Sequence, residues 1–196
     1  PWMDVLPANI NLMPTLETKE IFDMGHNSEL NQALKYDFHK TLCLRIGGND
    51  LLSCLHLRRP KNTTIYQTPV GILISQLAGL FIPAGFQLSS PVCEHIDHTQ
   101  LLMNELEQDM NNGIYTKTAI HPSQVEYIHN AFKINAEEFQ DAQQILSQEA
   151  KSVFKSQGSM LEPATHRNWA EMILLRYKTF GLCKSLSQDK MMLSTF

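Results

Sequence analysis

Short apolar runs that stop at polar or glycine-rich clusters alternate along this chain with longer stretches at helical spacing. Four runs read as strands: Asn9–Thr18, Thr41–Ile46, Phe86–Pro91 and Thr118–His121. Lys19–Lys35 is mostly helix-like, with a turn expected around Gly25-His26-Asn27-Ser28. Thr68 and Pro69 supply a cap and a first-turn proline for a helix running to about Pro83. Thr99–Asn111 places Leu102, Glu105, Leu106 and Met110 on one face and ends at Gly113. Asn135 and Glu138 have capping-box spacing ahead of an apolar face of Phe139, Ala142, Ile145, Leu146 and Val153. A final helix is expected over roughly Thr165–Phe180, with Trp169 and Phe180 packing it.

Strands that each lead into a helix predict a parallel sheet with right-handed crossovers, an α/β fold. Functional groups in such folds gather at the carboxyl ends of the strands. Those ends carry Glu17, Asp50, the Ser89-Ser90-Pro91 turn and His121-Pro122. Two carboxylates converging there could share a hard divalent cation. From spacing alone the plainer reading is favoured, with Glu17 an acid at a helix start and Asp50 a turn residue.

Composition narrows the class. The 196 residues are 43% hydrophobic and 18% charged, which suits a folded globular chain with a sizeable core. A net charge of -4 gives no reason to expect nucleic acid. The most apolar stretch, Pro69 to Phe86, is broken by Gly71, Ser75, Gln76, Gly79, Pro83 and Gly85, so no membrane span is expected. Cys43, Cys54, Cys93 and Cys183 form no C-x-x-C pair and read as free buried thiols of a reducing, cytoplasmic compartment. The cluster Cys93, Glu94, His95, Asp97 and His98 lacks the fixed spacing of a zinc site and reads as a solvated helix entry. Arg58, Arg59 and Lys61 form a basic loop that either meets phosphates or is simply solvated. His121 is expected to pack, and Arg45, within a strand, needs a carboxylate or a barrel-end position if buried.

Lys117-Thr118-Ala119-Ile120-His121-Pro122-Ser123-Gln124-Val125 resembles the last barrel strand of the citrate lyase β-subunit family (the HpcH/HpaI aldolase superfamily), G-K-x-A-I-H-P-S-Q-I. Pro14-Thr15-Leu16-Glu17-Thr18 resembles that family's P-x-x-E-T, and Gly47-Gly48-Asn49-Asp50-Leu51 its G-x-x-D-L. Leu57-Arg58-Arg59 and the run Glu162–Ala170 are similar to a divergent branch of carbon–carbon bond lyases with the TIM-barrel fold. The resemblance covers Asn9 to about Gly181 and only the fifth to eighth of eight barrel strands. It therefore implies a partial TIM-type barrel of four βα units over residues 1–134 and a helical extension over 135–196. The barrel-interior face of such a half is expected to be apolar and under-packed. No residue matches the arginine motif of an earlier family strand. The chain opens Pro1-Trp2-Met3, which reads as a fragment.

The function implied is a magnesium-dependent lyase that cleaves or forms a 3-hydroxy acid or acyl-thioester through a metal-stabilised enolate. Glu17 and Asp50 would hold Mg2+, while Gly48, Asn49 and Pro91 would line the substrate. Coenzyme A or an acyl-carrier protein would carry the acyl group. Gly158-Ser159-Met160-Leu161-Glu162-Pro163 resembles the family signature G-x-M-[IL]-D-x-P, whose acid does acid–base work and often enters a neighbouring subunit. Glu162 stands in place of that Asp, and Pro163 follows at once. A homo-oligomer is implied, with the segment from Gly158 to Pro163 a loop that does not reach Glu17 and Asp50 within one chain. The competing reading, from a different class, is a non-catalytic domain that keeps the fold and works by protein association.

Overall fold

The computed structural model describes residues 10–36 and 38–183. Asn9, where the first strand was expected to begin, lies outside them. The chain forms two units, Pro1–Ile128 and His129–Phe196.

In the first unit, β1 (Thr15–Leu16), β2 (Leu44–Ile46), β3 (Leu88–Ser90) and β4 (Thr116–Lys117) form one sheet in chain order. Every neighbouring pair is parallel. The helices are α1 (Met24–Tyr36), α2 (Gly48–Cys54), α3 (Pro69–Phe81), α4 (Thr99–Asn111) and α5 (Pro122–Ala131), the last crossing the unit boundary. The parallel order is the one the strand and helix pattern predicts, and the partial α/β barrel is the one the family resemblance implies. The core forms because α3 is apolar around most of its circumference: Val70, Leu73, Ile74, Leu77 and Phe81 are buried with Leu44, Ile46, Leu51, Leu52 and Leu88. Each such side chain contributes about 1.5–3 kcal/mol on burial.

The strands are shorter than the apolar runs. Leu12 still bridges Thr41 in parallel, but Pro14 has no N–H to donate, so the ladder resumes only at Thr15. At the other edge the expected strand Thr118–His121 is displaced: pairing stops at Lys117. Gln124 draws the chain off the sheet, accepting the Ile120 N–H at 3.1 Å and donating to the Cys93 carbonyl at 2.8 Å. Ile120 is 46% exposed rather than buried.

Register assigns the two faces of the sheet. Ser90 and Lys117 are partners, and both bond Asp109 of α4, so their face is the helix face. Side chains alternate along a strand, so the partners Thr15, Arg45, Ser89 and Thr116 share the opposite face. The barrel-interior face is therefore polar, not apolar as expected. The apolar positions Leu16, Leu44, Ile46 and Leu88 all fall on the helix side.

Two helix limits and one expected loop also differ. No turn interrupts Gly25–Ser28, because the Asp23 carboxylate accepts the Gly25 N–H at 2.8 Å and starts α1 one residue earlier. In the second unit, α6 (Ala136–Leu146) is capped as predicted, with Asn135 Oδ1 accepting the Glu138 N–H at 2.7 Å. It stops at Ser147, whose hydroxyl turns back to the Glu149 N–H, and Val153 lies beyond the helix. Gly158–Pro163 is not a loop. β5 (Phe154–Ser156) and β6 (Ser159–Leu161) form an antiparallel hairpin whose two turn residues, Gln157 and Gly158, have φ of 46° and 84°. That left-handed pair matches the twist of a tight hairpin. α7 (Pro163–Phe180) follows and packs on α6 through Ile145, Ala170 and Ile173. Trp169 borders that core, and the Phe180 ring meets Phe132 at 5.5 Å.

Candidate metal centre and active site

Glu17 and Asp50 follow adjacent parallel strands, so both carboxylates rise from the carboxyl end of the sheet. β1 fixes Glu17, and the first turn of α2 carries Asp50. The chain closes the gap between them by the Gly47 N–H bonding the Leu16 carbonyl at 3.0 Å. A side chain on Gly47 would intrude on this site. Its Cβ would lie 3.0 Å from Glu17 Oε2, 3.3 Å from Asp50 Oδ2 and only 2.4 Å from Glu17 Cβ. The two oxygens are therefore separated by no more than the first two lengths combined. Two ligands on one magnesium ion, each at about 2.1 Å, stand no more than about 4.2 Å apart, a separation within that bound. Both carboxylates are exposed, leaving room for the waters and substrate oxygens that magnesium keeps. The residues present fit the ion. Among the described residues no set of three or more His, Cys, Asp or Glu is arranged to hold a metal.

The remaining sequence-predicted positions lie around this pair. Asn49 is exposed, and its amide donates to Glu94 Oε2 at 2.8 Å, tying α2 to the segment after β3. Gly48 and Pro91 are buried against each other: a Cβ on Gly48 would meet Pro91 Cβ and Ile65 Cδ1, each at 2.6 Å. They bring the ends of β2 and β3 together by close packing. His121 is exposed rather than packed, with Nδ1 2.8 Å from Ser123 Oγ at the start of α5. His95 Nε2 donates to the Pro60 carbonyl at 2.9 Å, which accounts for one member of the His/Cys/acid cluster. Glu94 to His98 of that cluster, with Lys61, line a cleft of about 330 Å³, while Cys93 is buried. All four cysteines are free, but only Cys43 and Cys93 are buried, where desolvation raises both thiols.

Arg59 is not part of the basic loop surface. It is 4% exposed and its Nη2 pairs with Glu105 Oε1 of α4. That carboxylate oxygen also accepts the Ile65 N–H at 3.0 Å. Lys117 Nζ lies 3.6 Å from Glu105 Oε2 and 3.0 Å from Asp109 Oδ2. Asp109 accepts further bonds from Tyr66 OH at 2.6 Å and Ser90 Oγ at 2.8 Å. Burial pushes the Asp109 carboxyl above its ordinary range despite the opposing charge of Lys117. Burial and the Asp109 charge push the Tyr66 hydroxyl far up. This network was missed in the sequence. The available signal was Glu105 and Asp109 four apart on the face of α4 that buries Leu101, Leu102 and Leu106. Two acids on a core-facing stripe require buried cations.

Glu162 lies in the second unit, between β6 and α7. Its backbone N–H bonds His166 Nδ1 at 3.2 Å, and its side chain makes no capping bond to the helix.

Residues 3–182 match the family of C–C bond lyases of the TIM-barrel fold, and the chain belongs to that family. Solved structures share its fold. CitE from Mycobacterium tuberculosis, solved in complex with magnesium, acetoacetate and coenzyme A, superposes with a TM-score of 0.65 at 21% identity, covering 87% of this chain and 62% of its own. A citrate lyase from Burkholderia xenovorans LB400 gives 0.66 at 19% identity, covering 94% and 58%. RipC from Yersinia pestis gives 0.57 at 17%, covering 70% and 59%. The chain thus spans less than two thirds of each of these structures. No curated protein matches the sequence. Among the described residues no helix is long and apolar enough to cross a membrane.

Proposed function

We propose that this chain carries the magnesium end of a cytoplasmic carbon–carbon lyase of the citrate lyase β-subunit type, acting on a 3-hydroxy acid or acyl-thioester. The observation that carries this reading is the convergence of Glu17 and Asp50 across Gly47, at the end of the sheet where such folds do chemistry. Glu17 and Asp50 would hold the ion, each through one carboxylate. An ion held there would supply positive charge to offset the negative charge that develops as the carbon–carbon bond breaks or forms. The packed Gly48–Pro91 contact keeps β2 and β3 in register beneath the site, and Asn49, held by Glu94, lies at its rim. Arg58 and Lys61, both exposed, are the cations left to meet the phosphates of a coenzyme A or acyl-carrier arm. CitE, of the same fold, was solved with such a ligand set.

Glu162 would serve as the acid–base group, delivered between subunits of a homo-oligomer. A general acid must come within hydrogen-bond reach of the reacting atoms, directly or through one water. Calorimetric titration with Mg2+ tests the central part of this reading. One site is expected in the parent chain, lost in Asp50→Ala and Glu17→Ala with folding retained. Equal binding by Asp50→Ala would overturn it. Mixing Glu162→Gln with Asp50→Ala tests the shared site: partial recovery of activity supports it. No recovery, with subunit exchange demonstrated, removes Glu162 from the mechanism.

A further inference from the structure

The first turn of α2, which carries Asp50, is seated in a slot. Gly48 opens that helix and is buried. A Cβ on it would come within 2.6 Å of both Ile65 Cδ1 and Pro91 Cβ, and within 3.0 Å of Pro91 Cγ. No side chain fits there, so only glycine lets the helix start with Ile65 as one wall and Pro91 as the other. Asp50 follows two residues later, and the Leu51 N–H closes the turn on the Gly47 carbonyl at 3.0 Å.

Each wall is fixed by an acid of α4. Ile65 begins the 3-10 turn Ile65–Gln67, and the first amides of such a turn have no partner within it. Glu105 Oε1 accepts the Ile65 N–H at 3.0 Å. Pro91 has no N–H to hold the chain as it leaves β3. The residue before it does so instead, with Ser90 Oγ donating to Asp109 Oδ2 at 2.8 Å. Tyr66, next to Ile65, donates its hydroxyl to the other oxygen of that carboxylate at 2.6 Å. Glu105 and Asp109 are both fully buried and stand one turn apart on the same face of α4. A buried polar network rigidifies what it holds, and here it holds both walls.

We propose that Ile65 and Pro91 are positioning residues for Asp50, and that α4 sets the slot between them through Glu105 and Asp109. The interior polar network thereby sets how well the first turn of α2 is preorganised for a cation at Glu17 and Asp50. This rests on the metal reading of those two acids and adds to it residues that do not touch the ion.

The test removes single contacts from the full chain and reads the metal end. Ile65→Val deletes Cδ1, the atom that faces Gly48. Ile114→Val deletes the same methyl from a comparably buried core position ahead of β4 and is the control. Ser90→Ala cuts the tie between β3 and Asp109. Circular dichroism checks folding, and calorimetric titration measures Mg2+ affinity. Amide hydrogen exchange followed by NMR reads the Leu51 N–H of α2 against the Leu77 N–H within α3. Ile65→Val is expected to weaken Mg2+ binding by about three- to tenfold, less than the ten- to hundredfold typical of groups bonded directly to a metal ligand. Ser90→Ala should act in the same direction. Both should speed Leu51 exchange several-fold relative to Leu77, while Ile114→Val should change neither readout. Equal Mg2+ affinity in Ile65→Val and Ile114→Val overturns the slot and leaves the metal reading standing. Unchanged affinity in Ser90→Ala beside a loss in Ile65→Val removes Asp109 from the support. A parent chain that binds no Mg2+ overturns the metal reading, and Leu51 exchange then decides the slot by itself: unchanged exchange in Ile65→Val removes it too. If either variant fails to fold, the other decides.

Discussion

Replacing Glu105 by leucine should be among the most damaging single changes in the first unit. The side chain is fully buried and satisfies three groups: the Arg59 guanidinium, the Ile65 N–H at 3.0 Å and, more distantly, Lys117 at 3.6 Å. Leucine fills the space but leaves a buried cation and an orphaned amide. An unsatisfied buried N–H alone costs about 1–3 kcal/mol, and breaking a buried ion pair from one side costs about 3–5 kcal/mol. Arg59 already has Nε and Nη1 without acceptors among the described residues, so it has no spare partner to turn to. Against a total stability of about 5–15 kcal/mol, a loss near 4 kcal/mol is severe. With a urea slope of roughly 2 kcal/mol per molar, the midpoint should fall by about 2 M. The double change Arg59→Met with Glu105→Leu should recover much of this loss, because both charges leave together. Lys117 keeps Asp109 at 3.0 Å in either variant. Urea denaturation followed by circular dichroism measures both. A Glu105→Leu chain within about 1 kcal/mol of the parent would refute the reasoning, as would a double variant less stable than the single one.

Other expectations follow from single contacts. Gly47→Ala should weaken Mg2+ binding by on the order of tenfold or more in a calorimetric titration, because its Cβ would force Glu17 aside; the backbone φ of -83° makes no objection to alanine. Gly158→Ala should cost about 1–2 kcal/mol in urea denaturation from its φ of 84° alone, since nothing lies within 4 Å of the new Cβ. Asp109 has a raised native pKa, so the native state keeps its proton to higher pH than the unfolded chain does. From this group alone, stability is complete below about pH 4, the ordinary carboxyl value, and is lost as pH rises through the raised value. The stability of the parent relative to Asp109→Asn should therefore be greatest at acid pH and shrink toward neutrality, as urea melts across that range would show.

The sheet order and the helices over Pro69–Phe81 and Thr99–Asn111 were legible because apolar spacing, caps and terminators agree there. Glu17 and Asp50 were legible as strand-end acids, since position after a buried run survives errors of a residue or two. The end of β4 was not: Ala119-Ile120 looked buried and Lys117 looked like a flank. Lys117 is instead the residue in the sheet, tolerated because Asp109 and Glu105 answer its charge. The hairpin at Gln157-Gly158 was hidden because Phe154–Ser156 and Ser159–Leu161 carry little apolar alternation, and only the turn chemistry marked it. The interior face was misjudged because short strands expose few residues per face, so three hydroxyl residues and one arginine reverse its character.

The most direct test of the central reading is anomalous diffraction from crystals of this chain grown with Mn2+ in place of Mg2+. A single peak is expected between the carboxylates of Glu17 and Asp50, with one oxygen of each at about 2.1–2.2 Å and the Gly47 backbone beneath it. A peak elsewhere, or none beside these two side chains at saturating metal, would contradict the account.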